Sequence, residues 1–338
     1  MAEQEPQFSV IVPLRNARAT LQDCLSSIRP QLDATWELIA VDDASDDGGG
    51  AIAAQFATRV ETLPEHRGAA AARNAGAKLA RGRVLVFTDA DVIWPPGAVE
   101  RLRTQLVGRG ETEFCLVGIY APLSAGSALP SRLQAFNVHA LYRALPEADC
   151  PYSGAHLLAV TRNLFAQAGG FDEAFAGATI EDLDFGYRVQ ALGQRIAIAR
   201  EVEVIHAHEY DWRGLARNYY RKAADLAALA LTRRLPPSRV SGRPGAEVFS
   251  LAAGLMLPVL FVLGMWFDWA DNTNAILLLV AALLWWRDLV LARRTFGWRF
   301  AVLFYFFKWF VAFFGGLGAA RGVIDVAHAR LQRRRNAT

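Results

Sequence analysis

The sequence has almost no cysteine: Cys24, Cys115 and Cys150 are the only three in 338 residues. No CxxC pair or Cys/His spacing suggests zinc, and three thiols imply no disulfide framework, so a reducing compartment fits. Phosphate-binding loops are missing too. Neither GxxxxGKS/T nor a GxGxxG opening a helix occurs, which counts against NTPases and dinucleotide-dependent dehydrogenases. The opening MAEQEPQFSV lacks the basic region and apolar stretch of a signal peptide, so the N-terminal part is expected to stay in the cytoplasm. There is no internal repeat and no low-complexity tract. Net charge is only +3, and its distribution does not favour nucleic acid. The basic residues cluster beside apolar segments, at Arg287, Arg293, Arg294 and Arg299 and again at Arg333, Arg334 and Arg335, as suits anionic lipid head groups.

What is abundant is apolar sequence. Hydrophobic residues make up 53% of the chain, and the excess is concentrated: residues 1–245 read as ordinary globular sequence, while 246–320 are densely apolar. Residues 248–267 form an uncharged run of 20, about the length that crosses the hydrocarbon of a bilayer. The acidic stretch 268–274 is expected as an outside loop, and 275–286 as a returning span that ends in interfacial tryptophans with Arg287 beyond. A third segment, 300–320, has Lys308 near its middle and Gly315, Gly316 and Gly318 loosening its end, so a span and a re-entrant or interface-lying helix both stay open. A buried helical core is the alternative to membrane insertion. The expected divisions are a catalytic domain at 1–210, an amphipathic helix and linker at 211–245, a membrane region at 246–325 and a basic tail at 326–338.

The first half alternates short strands (8–12, 36–41, 83–87, 114–120) with helical stretches (17–28, 51–58, 69–80, 97–106). This alternation argues for an α/β fold with a mostly parallel sheet and helices on both faces. Ligands of such sheets bind beyond the carboxyl ends of the strands, and the chemistry-bearing residues fall there. Asp89-Ala90-Asp91 ends the strand 83–88. In extended backbone, residues i and i+2 point to one side, so both carboxylates can meet one hard cation, Mn²⁺ or Mg²⁺. A plain turn is the alternative. Asp42, Asp43, Ser45, Asp46 and Asp47 follow the second strand, where one acid can bind a nucleoside and the rest a solvated turn. Glu181, Asp182 and Asp184 open a helical stretch. Asp182 suits a general base for a hydroxyl, or equally the N3 acid of a capping box with Thr179. His206 and His208 end a later strand, and His206 is a possible metal or phosphate ligand.

Taken in order, these pieces resemble family 2 glycosyltransferases of GT-A fold. Val10-Ile-Val-Pro13-Leu-Arg15-Asn16 is similar to the family's first strand and nucleotide-facing loop. Leu38-Ile-Ala-Val-Asp42-Asp43-Ala-Ser45-Asp46-Asp47 is similar to its "VVDDGSxD" segment, Gly68-Ala-Ala-Ala-Ala-Arg73-Asn74-Ala-Gly76 to its "GxxxARNxG" helix, and Thr88-Asp89-Ala90-Asp91 to its metal motif. Gly169-Gly170-Phe171-Asp172-Glu173 with Glu181-Asp182 resembles the acceptor-side "GGFDE…ED" pair.

The resemblance covers about residues 8–210. It implies donor contacts from Pro13, Arg15, Asn16, Asp43, Arg73 and Asp89, a cation on Asp91 supported by Asp89, and an acceptor side at Glu181, Gly170 and Phe171. It also implies inversion at the anomeric carbon, with Asp182 as base. Arg15 stands where the family often has an aromatic, so a guanidinium stack on the base is expected. No QxxRW follows the acid pair, which favours one sugar per encounter over processive synthesis.

The expected protein is thus a bacterial inner-membrane enzyme with its catalytic domain in the cytoplasm. It would move sugar from a nucleotide-sugar, UDP-linked by default, to a hydroxyl or phosphate of a lipid or polyprenyl-linked acceptor, with residues 212–231 either lying on the bilayer surface or forming an ordinary solvated amphipathic helix. The competing readings are a nucleotidyltransferase of related fold and an inactive membrane scaffold.

Overall fold

Strand β1 (Phe8–Leu14) is buried at all seven positions, and so is β2 (Trp36–Asp42). Strands that are apolar on both faces belong in the middle of a sheet covered on both sides. In the computed structural model, which describes residues 5–175, 180–233, 235 and 244–335, that is where they sit. The remaining strands are β3 (Arg59–Thr62), β4 (Val84–Phe87), β5 (Val92–Ile93), β6 (Cys115–Ser124), β7 (Leu158–Thr161) and β8 (Ile196–His206). Among the described residues they form one eight-stranded sheet in the order β3-β2-β1-β4-β7-β6-β8-β5. The block β3-β2-β1-β4 is parallel. β7 is antiparallel to both β4 and β6, while β8 is parallel to β6 and antiparallel to β5.

Alternation along each strand assigns the two faces. Val10 and Val12 look into one core with Leu21, Leu25 and Ile28 of α1 (Arg18–Ile28), Ala53 of α2 (Gly49–Phe56) and Leu102 of α4 (Ala98–Val107). Ile11 looks the other way, with α3 (Ala69–Leu79), α5 (Leu129–Ala144), α6 (Arg162–Gln167) and α7 (Glu181–Ala191). Leu14 pairs with Asp42, and Ile11 with Phe87. The segments leaving β1, β2 and β4 therefore emerge on one edge of the sheet.

The chain divides into two compact units at Glu209–Tyr210. The second holds α8 (Trp212–Arg233), α9 (Pro244–Gly264), α10 (Asp268–Leu284), α11 (Trp286–Phe296) and α12 (Trp298–Arg335). Among the described residues two helical stretches are long and apolar enough to cross a membrane. They are Gly245–Gly264, whose most apolar 18 residues have mean hydropathy 2.1, and Trp298–Gln332, whose most apolar 18 residues have mean hydropathy 1.8. A third exists if α10 and α11, bent by 67° at their break, count as one span.

Two expectations change here. Residues 268–274 are not a loop but the first turns of α10, where Asp268 and Asp271 favour the helix N-terminus. Gly315, Gly316 and Gly318 do not loosen a helix end, because α12 runs unbroken to Arg335. They are packing positions. A Cβ on Gly316 would press on Leu251 and Leu255 of α9, and one on Gly318 or Gly322 would meet the carbonyls of Tyr220 and Ala224 on α8. Helix α8 therefore packs along α12 by backbone approach at a small-xxx-small pair, with Trp212 5.3 Å from Phe310. Its Arg213, Arg217 and Arg221 remain exposed. Lys308, the charge inside the apolar stretch, pairs with Asp288 of α11 at 3.1 Å and lies 5.6 Å from the centre of the Trp285 ring.

Candidate active site

Beyond β4 the backbone leaves extended geometry. Asp89-Ala90-Asp91 forms a turn closed by the Val92 N–H on the Asp89 carbonyl at 3.2 Å. The two carboxylates thus do not share a side by strand alternation, as extended backbone would require, and they have different partners. Asp89 Oδ1 accepts from Arg73 Nη2 at 2.7 Å. Asp91 Oδ2 lies 3.4 Å from His206 Nε2, because the β5–β8 pairing sets Val92 opposite His206. The Asp91 carbonyl also takes the Ala207 N–H at 2.7 Å. Burial pushes the Asp91 carboxyl up, but the His206 hydrogen bond and the charges of His206 and His208 outweigh it and hold the carboxyl below its ordinary value.

The turn is anchored from beneath by residues with no sequence signal of their own. Buried Thr88 donates to the His156 carbonyl at 2.8 Å and accepts from Trp94 Nε1 at 3.1 Å. The His156 ring stacks on Tyr120 at 4.3 Å, and Tyr120 meets His206 edge-on at 5.1 Å. Tyr120, His156 and His206 lie far apart in sequence and are brought together by the β6–β7–β8 register, so no local motif could reveal their contacts.

After β2, Asp43 is 2% exposed. Its carboxylate accepts the Arg67 N–H at 2.7 Å and the Gly68 N–H at 2.9 Å, and lies 2.7 Å from His66 Nδ1. Asp43 thus holds the entry to α3. Asn16, which is exposed, and Ala44, which is half-buried, both have left-handed backbone, φ 48° and 55°. Asn16 Oδ1 accepts the Asp46 N–H, and Arg15 Nη1 donates to the Asp43 carbonyl at 2.5 Å and that of Ala44 at 2.6 Å. Pro13 is buried within β1 opposite Val41. Asp47 links the helix starts, accepting the Arg18 and Gly49 N–H groups.

On the other flank, α7 begins at Glu181 with Ile180 as its N-cap. Asp182 is therefore a first-turn residue and not the N3 partner of Thr179, which lies outside the described residues. Its Oδ2 accepts the Ala155 N–H at 3.0 Å and its Oδ1 the Leu183 N–H at 2.8 Å. Ser153 Oγ donates to the Asp182 carbonyl. Glu181 is 2% exposed and takes Arg73 Nη1 at 2.6 Å. Phe171, also 2% exposed, packs on Phe87, Phe165 and Phe185, so it anchors its loop from within. The loop needs glycine at 170, where φ is 66° and a Cβ would press on Asn74 Oδ1. Arg188 ties the Gly170 carbonyl to α7 at 2.6 Å.

Arg73 thus joins three segments that the sequence spreads over more than 100 residues: α3, the Asp89–Asp91 turn and the start of α7. Among the described residues no three His, Cys, Asp or Glu side chains converge to hold an ion. The donor set is a carboxylate, Asp91, beside an imidazole, His206. That suits a hard divalent cation whose shell is completed by ligand oxygens.

The strand–helix order and the mixed eight-stranded sheet among the described residues define the class as an α/β fold of GT-A type. Across 95% of this chain and 88% of the other, the structure is similar to mannosyltransferase PcManGT from Pyrobaculum calidifontis, solved in complex with GDP-Man and Mn²⁺, with TM-score 0.59 and 21% identity. Residues 9–130 match the model of Glycosyl transferase family 2, and the chain carries a domain of that family.

Among curated relatives, UDP-Glc:alpha-D-GlcNAc-diphosphoundecaprenol beta-1,3-glucosyltransferase WfgD of Escherichia coli is 38% identical over 95 residues, 27% of this chain and 38% of that one. Validoxylamine A glucosyltransferase of Streptomyces hygroscopicus subsp. jinggangensis is 28% identical over 238 residues, 60% of this chain and 56% of that one. The chain spans only 38–56% of the lengths of these relatives.

Proposed function

We propose that the protein transfers one sugar per encounter, with inversion, from a nucleotide-sugar donor (UDP-linked by default) to a hydroxyl of a lipid-linked acceptor at the cytoplasmic face of the inner membrane. The observation that carries this reading is the ion-pair chain Asp89–Arg73–Glu181. It sets the donor-side turn and the acceptor-side helix on one edge of the sheet. The nucleotide end of the donor faces Arg15, Asn16 and Asp43, with Pro13 shaping the strand beneath them. Asp182 takes the proton of the acceptor hydroxyl as its oxygen attacks the anomeric carbon. The bond to the nucleoside diphosphate breaks on the opposite face, and the diphosphate leaves with the electron pair.

Asp91, with Asp89 along the turn and His206 behind it, would hold Mn²⁺ or Mg²⁺. When bound, that ion neutralises charge growing on the leaving diphosphate. Two names support this reading: a UDP-glucose donor and a diphosphoundecaprenol acceptor in that of WfgD, and GDP-Man with Mn²⁺ in that of PcManGT. The membrane assignment is supported by the apolar helices Gly245–Gly264 and Trp298–Gln332 and by the exposed arginines of α8, which suit anionic head groups. Calorimetric titration with UDP and Mn²⁺ tests the site: wild type binds both, and Asp91→Ala loses the Mn²⁺-dependent part. Undiminished binding in Asp91→Ala would remove the metal assignment.

A further inference from the structure

Arg73 is buried in the middle of α3 at 3% exposure, and its two terminal nitrogens are both committed. Nη1 lies 2.6 Å from Glu181 Oε1 and Nη2 lies 2.7 Å from Asp89 Oδ1. The guanidinium carbon sits 5.4 Å from the centre of the Phe171 ring. Its Nε is buried with no hydrogen-bond partner, a cost that a space-filling side chain would not carry. Burial opposes the charge, but Asp89 and Glu181 more than compensate and hold the guanidinium ionised. A buried triad of this kind adds little net stability, because desolvation offsets the attraction, and its best-attested use is to fix a register.

The register fixed here is specific. Asp91 stands two residues beyond Asp89, and Asp182 is the next residue after Glu181. Resting on the transferase reading above, we propose that Arg73 is a positioning residue and not a donor ligand. Its planar fork sets the cation-side carboxylate of Asp91 and the base carboxylate of Asp182 at their working separation by gripping the neighbour of each. Lysine cannot replace it, since one ammonium offers no fork to span two carboxylates.

The full-length protein tests this with whichever of UDP-glucose, UDP-N-acetylglucosamine and GDP-mannose the wild type hydrolyses in Mn²⁺. Arg73→Lys and Arg73→Gln are expected to bind the corresponding nucleoside diphosphate within about 3-fold of wild type. Their kcat should fall about 100-fold, the loss expected from a misplacement of about 1 Å. Arg73→Ala should regain part of its turnover in millimolar guanidinium or methylguanidinium. Adding Glu181→Gln to Arg73→Gln should cost little more, because the two act as one unit.

Raised KM with unchanged kcat would make Arg73 a donor ligand and overturn the proposal. A collapsed melting temperature in Arg73→Gln, with no rescue of Arg73→Ala by guanidinium, would make it merely structural and also overturn it. Wild-type turnover with unchanged kcat in Arg73→Gln refutes this inference alone. Absence of wild-type turnover on every nucleotide sugar refutes the transferase reading, and this inference with it.

Discussion

His206 Nε2 lies 3.4 Å from Asp91 Oδ2, across the pairing of a two-residue strand with the end of β8. In the proposed site the imidazole would either join the cation's shell or orient the Asp91 carboxylate, and either use would make metal affinity depend on it. Loss of an orienting partner typically costs about 10–100-fold in metal affinity. His206→Ala should therefore weaken Mn²⁺ binding in the presence of UDP by that factor, measured calorimetrically, while metal-free UDP binding stays unchanged. Equal Mn²⁺ affinity in wild type and variant would leave His206 outside the metal site.

Ala44 holds φ 55° in the loop after β2. A left-handed conformation costs a residue with a Cβ roughly 1–2 kcal/mol, while glycine loses about 0.5–1 kcal/mol more on folding through its greater freedom. Ala44→Gly should therefore raise stability slightly, by up to about 1 kcal/mol, with a higher melting temperature by scanning calorimetry. A lower melting temperature would show that this loop is not strained.

Glu37 is buried in β2 and accepts from Ser9 Oγ at 2.6 Å, the Arg81 N–H at 2.6 Å and the Gly82 N–H at 3.3 Å. Burial pushes its carboxyl up, but these donors outweigh it and hold the carboxyl below its ordinary value of 4.5. A group depressed on folding contributes stability above its unfolded pKa and loses it as pH falls through the folded one. Glu37→Gln should thus be about 2 kcal/mol less stable at pH 7. The gap to wild type should narrow below pH 4.5 in denaturant titrations. A gap that is constant with pH would contradict the linkage.

Gly322 lets the α8 backbone approach α12, and a side chain there would press on the Ala224 carbonyl. Overpacking of this kind costs about 1–3 kcal/mol. Gly322→Val should loosen α8 and speed tryptic cleavage at the exposed Arg213, Arg217 and Arg221. Unchanged cleavage would mean that α8 does not depend on this contact.

Much of the sheet was legible because β1, β2 and β4 are apolar at nearly every position, and the helices between them carry the 3.6-residue period. The acids were legible because they cluster at strand ends. Their partners were not. Arg73 reaches Glu181 across 108 positions, and Thr88 reaches His156 across 68. Such pairs follow from sheet order, which local pattern does not encode. At Asp89–Asp91 the sequence leaves an extended end and a turn both open, and the turn forms because the β-ladder ends at Phe87. Lys308 looked anomalous in an apolar stretch only because its partner, Asp288, sits on a different helix.

The proposed mechanism turns on Asp182 removing a proton in a sugar transfer whose leaving group is a nucleoside diphosphate. The most direct measurement follows nucleoside diphosphate release by the full-length protein in lipid nanodiscs, across UDP- and GDP-sugars, with Mn²⁺ and with EDTA. The expected result is release from one sugar class that needs Mn²⁺ and falls at least about 100-fold in Asp182→Asn, while UDP or GDP binding is retained. Turnover in Asp182→Asn equal to wild type, or pyrophosphate release from a nucleoside triphosphate in place of sugar transfer, would contradict it.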